Sequence, residues 1–177
     1  PTFLCIGGQR CGTTRLHRVL DAHPLVSMTQ AGVDAMNKEI HYFDRHVLTQ
    51  PLSWYESHFC SSGISGEITP AYSILPDQAV NAISNYLPEA KIIFILRNPL
   101  DRIWSQIRMM RSAWGQSEFK NIQLQRLLVL LDSPAVVLRS DYLQTLQRWQ
   151  QWFGSDRLLV LTFDHALTNV GLRRIFT

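Results

Sequence analysis

The chain opens on an apolar run, FLCIG from Phe3 to Gly7, followed at once by the glycine-bearing stretch GGQRCGTT and then by an amphipathic segment, TTRLHRVLDAH. That succession constrains the fold more than any other feature. A short run that is apolar at every position reads as a strand covered on both faces, and a strand turning directly into a helix begins a crossover unit of a parallel sheet. In the helical segment Leu16, Val19, Leu20 and His23 recur at i, i+3, i+4 and i+7, and the His23–Pro24 pair ends it.

Two more runs have the same character: KIIFILR from Lys91 to Arg97 and RLLVLTF from Arg157 to Phe163. Helical patterns separate them. PDQAVNAISNYLP starts at Pro76, carries Ala79, Ile83 and Leu87 on one stripe and stops at Pro88. NPLDRIWSQIRMMRSAW opens with Asn98 as N-cap and Pro99 in the first helical position, with Ile103, Ile107 and Met110 on one face. EFKNIQLQRLLVLLD and SDYLQTLQRWQQWF read as further amphipathic helices, and CSSGISGE, around Ser61 to Glu67, as the most loop-like part. The alternation predicts an α/β fold of three layers, a central parallel sheet flanked by helices.

With 177 residues, 46% hydrophobic and 18% charged, the chain fits one globular domain spanning 1–177, and disorder and collagen-like structure are excluded. The longest apolar runs, IIFIL from Ile92 and LLVLL from Leu127, fall far short of the roughly 20 residues that cross a bilayer. The charge, 17 Lys+Arg less 14 Asp+Glu, is +3 and is spread along the chain, which argues against a nucleic-acid partner and suits a small anionic ligand. Cys5, Cys11 and Cys60 show no zinc-like spacing, so a reducing, cytoplasmic setting is the simpler expectation. The last residues, GLRRIFT, read like an unfinished helix, so more chain is expected after them.

In GGQRCGTT, Gly7, four intervening residues, Gly12 and Thr14 match the spacing of a P-loop, except that Thr13 stands where the lysine would be. Backbone N–H groups of such a turn and of the helix start converge on an anion, and the helix dipole favours negative charge there. Without the lysine, phosphoryl transfer from a nucleotide triphosphate is disfavoured, and the cation is Arg10 instead. A second candidate anion site lies in RNPLDRIWS: Arg97 sits at a strand's carboxyl end and Ser105 on the following helix.

Together the two segments resemble the sulfotransferase family that uses 3′-phosphoadenosine 5′-phosphosulfate. IGGQRCGTTRLHRVLDAHP is similar to that family's 5′-phosphosulfate loop, and ILRNPLDRIWSQ to its 3′-phosphate motif, with Arg97 and Ser105 eight residues apart. KEIHYFD, from Lys38 to Asp44, resembles the catalytic segment of the branch that includes the heparan sulfate sulfotransferases, and GEITPAY, from Gly66 to Tyr72, a further segment of that branch. DYLQTLQRWQQWFGSDRLLVLTFDHAL resembles the family's helix and closing core strand. Two departures stand out: Arg10 in place of the lysine common in the first loop, and Ile68 where the heparan sulfate branch has a lysine after the glutamate.

The resemblance implies a P-loop-like enzyme moving a sulfuryl group from this donor to an acceptor hydroxyl on a glycan, a lipid, a small alcohol or a carrier-bound hydroxyacyl chain, with 3′-phosphoadenosine 5′-phosphate as product and no metal. It implies Glu39 as the base, with His41 orienting it or serving as base itself, and Asp44 either holding that histidine or capping a helix. Arg10 would stabilise the leaving group. Arg10, Cys11, Gly12, Thr13, Thr14 and Arg15 would contact the 5′-phosphosulfate, and Arg97 and Ser105 the 3′-phosphate, with Arg139 and Tyr142 as further nucleotide contacts. WYESHF, from Trp54 to Phe59, would line an acceptor pocket or belong to the core. A P-loop-like nucleotide kinase and a non-catalytic nucleotide-binding module are the competing readings.

Overall fold

The computed structural model of the protein describes residues 1–29, 38–60, 63–114, 124–166 and 168–175. Among the described residues, five parallel strands form one sheet in the order β2-β3-β1-β4-β5. They are β1 Phe3–Gly7, β2 Val26–Met28, β3 Ile64–Ile68, β4 Lys91–Leu96 and β5 Leu158–Thr162. The helices are α1 Thr13–Asp21, α2 Leu52–Glu56, α3 Asp77–Tyr86, α4 Pro99–Trp114, α5 Leu124–Leu131, α6 Pro134–Ser140, α7 Tyr142–Phe153, α8 Phe163–Ala166 and α9 Asn169–Arg173. A π-helical turn, Tyr42–His46, and a 3₁₀ turn, Pro70–Ile74, complete the set.

The apolar runs are explained by the two faces they fill. Phe3 and Cys5 of β1 and Ile93 and Ile95 of β4 pack with Leu16 and Leu20 of α1. Leu4, Ile6, Ile92 and Phe94, the alternate positions, pack with Val80 and Ile83 of α3 and Trp149 and Phe153 of α7 on the opposite face. The three layers are thus helix, sheet and helix. Leu4, Ile6 and Ile95 are wholly buried, and truncating any one to alanine costs about 2–5 kcal/mol through lost burial and the cavity left behind.

From β1 the chain runs outward to β2 and back to β3 on one side, then crosses to β4 and β5 on the other. The winding therefore reverses between β1 and β4, and in such sheets ligands bind in the crevice at the strands' carboxyl ends. The turn after β1 and Arg97 after β4 flank that crevice.

Several expectations are corrected. CSSGISGE is not a loop throughout, because Ile64–Ile68 forms β3 between β1 and β2, while residues 61 and 62 lie outside the described residues. Its glycine has a packing reason: a Cβ on Gly66 would lie 2.5 Å from the Phe3 ring. α1 stops at Asp21, two residues before His23. The predicted helix from Glu118 falls partly on residues 115–123, outside the described residues, and continues as α5, with α6 as a separate helix. The stripe of α3 is centred on Val80 and Ile83, with Ala79 and Leu87 partly buried.

Asn98 does cap α4, its Oδ1 accepting from the Leu100 N–H at 2.9 Å. Yet between 99 and 110 the buried positions of α4 are Arg102, Ser105 and Ile107, while Ile103 and Met110 are half-buried. The helix presents polar groups inward as well as apolar ones.

Candidate functional site

The turn between β1 and α1 is pinned to the sheet. The Gly8 N–H donates to the Ile95 carbonyl of β4 at 2.9 Å, and the Cys11 N–H to the Gly8 carbonyl at 3.1 Å. Gly12, just before α1, adopts φ 82°, a left-handed conformation strained for any residue with a Cβ, and no side chain caps the helix. The first N–H groups of α1 have no acceptor within the helix and carry the positive end of its dipole, which suits an anion. Thr13 is buried and Thr14 half-buried at this helix start.

Arg10 also has a left-handed backbone, φ 66°, unusual for a side chain of its size. Its guanidinium reaches α4: Nε donates to Ser105 Oγ at 3.1 Å, and Nη1 lies 3.4 Å from Met109 Sδ. Arg97 Nη1 donates to the Arg10 carbonyl at 2.8 Å, and the Arg97 guanidinium lies over the Phe163 ring at 4.3 Å. Three residues that the sequence separates into two motifs therefore stand together. Burial, then the positive charges of Arg97 and Arg108, lower the Arg10 pKa, although an arginine remains charged at neutral pH. Among the described residues neither Arg10 nor Arg97 pairs with a carboxylate. Two cations and a hydroxyl grouped in this way have the chemistry to hold an anion.

Arg102 lies behind this cluster, completely buried. Its Nη2 donates to Ser140 Oγ at 2.7 Å and to the Val136 carbonyl at 3.2 Å, tying α6 to α4. Cys11 is buried with its Sγ 4.0 Å from the Tyr142 hydroxyl, burial pushes its thiol pKa up, and its backbone N–H is engaged by the Gly8 carbonyl. Arg15 is exposed in the first turn of α1.

The second half of the site is the segment from Lys38 to Asp44. Lys38, nearly buried, pairs with Glu39 Oε1; Glu39 Oε2 lies 3.0 Å from His41 Nε2, and Asp44 Oδ2 lies 2.8 Å from His41 Nδ1. His41 thus sits between two carboxylates, and Asp44 serves as its partner. Burial alone would lower the His41 pKa, but hydrogen bonds to Asp44 and Glu39 outweigh it and push it up to about 9. Burial would raise the Glu39 pKa, but hydrogen bonds from His41 and Lys38 outweigh that and hold it below the usual carboxylate range. At neutral pH the pair is a carboxylate facing an imidazolium.

Electrostatics link the halves. Lys38 and Glu39 both act on the Cys5 thiol of β1, and Arg139 of α6 feels Arg102 on one side and Asp44 on the other. Tyr142, at the start of α7, touches Cys11 and the Arg97 backbone.

Of the aromatic stretch, Tyr55 is wholly buried and forms a cluster with Ile40 and Tyr42, flanked by Trp54 and Phe59. It is core beneath the Lys38–Asp44 segment. Ile68 is likewise buried with Cys5 and Leu16. The sequence reading did not single out Glu67, which is wholly buried and accepts hydrogen bonds from three side chains. Its signal was a charged residue in a strand that fills both faces. A cavity of about 410 Å³ lies at the opposite, amino-terminal end of the strands, lined by Thr2, Leu20, Val26 and Ile175 among others, away from these groups.

Comparison with known proteins gives a consistent result. The model of the sulfotransferase domain family matches residues 1–170. The chain is 28% identical over 186 residues to the human bifunctional heparan sulfate N-deacetylase/N-sulfotransferase 2, a match covering 96% of this chain and 20% of that protein. It is 26% identical over 193 residues to the human heparan sulfate glucosamine 3-O-sulfotransferase 6, covering all of this chain and 54% of that one. The chain therefore spans about half or less of these relatives' length. The crystal structure of a sulfotransferase from Alicyclobacillus acidocaldarius superposes with a TM-score of 0.72 at 21% identity, covering 96% of this chain and 76% of that one, which establishes the shared fold.

Proposed function

The chain belongs to the sulfotransferase domain family, and from that premise we propose that it transfers a sulfuryl group from 3′-phosphoadenosine 5′-phosphosulfate to an acceptor hydroxyl. The observation that carries this reading is the convergence of Arg10, Arg97 and Ser105 across the crevice. Two guanidiniums and a hydroxyl, without a carboxylate partner among the described residues, fit a phosphate monoester, and the turn before α1 offers backbone N–H groups for a second anionic group. The donor set thus fits a nucleotide with phosphates at two separated positions. When bound, that nucleotide supplies an activated sulfuryl group and a stable phosphate leaving group.

The chain's own residues divide the remaining work. Arg97 and Ser105 hold the 3′-phosphate, and Arg10 joins them there, so its cation serves this end of the nucleotide as well as the leaving group. Gly12, Thr13 and Thr14 present backbone and hydroxyl donors to the 5′ end. Glu39 accepts the acceptor's proton as the hydroxyl oxygen bonds to sulfur and the sulfur–oxygen bond to the nucleotide breaks. Glu39 is preferred to His41 because His41, with a pKa of about 9, already holds its proton at neutral pH. His41, clamped by Asp44, keeps Glu39 ionised and oriented.

For the acceptor we propose a hydroxyl on a glycan, lipid, small alcohol or carrier-bound hydroxyacyl chain. Ile68 stands buried where a lysine would suit a polyanion, and this favours a less charged acceptor than heparan sulfate. No helix among the described residues is long and apolar enough to cross a membrane. The cytoplasmic setting we propose rests on the free thiols of Cys5, Cys11 and Cys60. Incubation with radiosulfur-labelled donor and an acceptor panel tests the proposal: label appearing on an acceptor without added metal supports it, and ATP-dependent phosphorylation in its place contradicts it.

A further inference from the structure

The Lys38–Asp44 segment is not held by regular structure up to His41, and His41 itself adopts φ 56°, a conformation a side-chain-bearing residue keeps only when its surroundings impose it. What imposes it is on β3. The Ile40 N–H, in the peptide group linking Glu39 to Ile40, faces the wholly buried Glu67 carboxyl and favours its charged form. Tyr72 donates its hydroxyl to Glu67 Oε1 at 3.1 Å while its oxygen accepts the Phe43 N–H at 3.4 Å. Thr69 donates to Oε2 at 2.6 Å and Tyr55 to Oε1 at 2.7 Å. Three side chains and one backbone N–H thus converge on its two oxygens. Since Phe43 occupies the Tyr72 oxygen, the Tyr72 proton is directed to Glu67. The amides of Ile40 and Phe43, on either side of His41, are therefore fixed by one buried carboxyl group, directly and through one relay.

We propose that Glu67 is a positioning residue for the base pair: it holds the backbone on both sides of His41 and so sets the geometry of the Glu39–His41–Asp44 row without touching substrate. The inference rests on the reading of Glu39 and His41 as the acid–base pair, and it assigns the GEITPAY segment a task in the same reaction. Burial raises the Glu67 pKa, and hydrogen bonds from Thr69, Tyr55, Tyr72 and the Ile40 N–H oppose the rise without cancelling it.

The charged groups facing the His41 ring are Glu39 at Nε2 and Asp44 at Nδ1, with Arg45 beyond. If Glu67 sets this row, removing an acceptor oxygen slackens both contacts and His41 titrates at lower pH. The test follows the His41 ring proton by NMR across pH in the full chain, assigned with His41→Asn, and measures kcat and the Kd for 3′-phosphoadenosine 5′-phosphate in parallel. Glu67→Gln is expected to lower the His41 midpoint by about one pH unit and kcat about 100-fold, the latter because small misplacements of reacting groups are that costly, with nucleotide Kd within about twofold. Tyr72→Phe, which breaks the relay to Phe43, is expected to act in the same direction. Tyr55→Phe removes a bond to the same carboxylate without reaching either amide, and His41 is expected to titrate as in the wild type.

If Glu67→Gln does not fold, Tyr72→Phe against Tyr55→Phe decides. A His41 midpoint unmoved in folded Glu67→Gln and Tyr72→Phe, or moved equally by Tyr55→Phe, overturns the proposal. Because the titration needs no turnover, a wild-type chain that neither binds nucleotide nor transfers sulfate contradicts the functional reading alone, and the His41 shift still judges Glu67.

Discussion

The Nε of Arg10 lies 3.1 Å from Ser105 Oγ although 95 residues separate them in sequence. The guanidinium of the first loop therefore meets the helix that carries the second motif. Arg97→Ala is expected to weaken binding of 3′-phosphoadenosine 5′-phosphate about 10- to 100-fold, the range for losing a charge-assisted hydrogen bond, and to change AMP binding by less than about twofold, whereas Arg10→Ala, which also removes the cation at the 5′ end, is expected to weaken both. Equal losses for both nucleotides in Arg97→Ala would place that arginine elsewhere.

Glu39→Gln keeps the shape of the side chain but removes its ability to accept a proton. Turnover is expected to fall by about 100-fold or more, with nucleotide affinity nearly unchanged, in a comparison of single-turnover rates with calorimetric Kd values. Retained turnover would transfer the base role to His41.

His41 also couples stability to pH. Its folded pKa, about 9, is raised above the ordinary 6.5, so its stabilisation is complete below about pH 6.5 and is lost as pH rises through about 9. The difference corresponds to about 3 kcal/mol. Urea unfolding of wild type and His41→Gln is expected to show the wild type losing its advantage between about pH 6 and about pH 10. Curves that stay parallel would mean the His41 contacts do not persist in solution.

Gly12 holds a left-handed backbone at φ 82°. Gly12→Ala is expected to cost about 1–2 kcal/mol of stability and to weaken nucleotide binding by displacing the N–H groups that follow it, measured by thermal unfolding and calorimetry. Unchanged binding would argue that the 5′ end is held by side chains instead.

The sequence was most legible where burial on two faces demanded uninterrupted apolar residues, as in β1 and β4. It was least legible where tertiary contact overrode local preference. β3, with its polar and glycine-rich sequence, is a strand because it lies between β1 and β2 and because Gly66 leaves room for the Phe3 ring. The short β2 carries too few residues to show a period.

Within the site, the spacing of Arg97 and Ser105 on one strand–helix unit marked them as neighbours, whereas the reach of Arg10 to Ser105 depends on a left-handed backbone that no local pattern announces. Glu67 escaped notice because a glutamate is ordinarily a surface residue, and only the fold brings Tyr55, Thr69, Tyr72 and the Ile40 amide around it.

The most direct measurement is calorimetric titration of the chain with 3′-phosphoadenosine 5′-phosphate, against AMP and ATP, without added metal. Binding of about micromolar affinity that AMP fails to reproduce is the expected result, since only the 3′-phosphate engages Arg10, Arg97 and Ser105 together. Equal affinity for AMP, or a preference for ATP with magnesium, would contradict the assignment of that cluster and with it the sulfuryl donor.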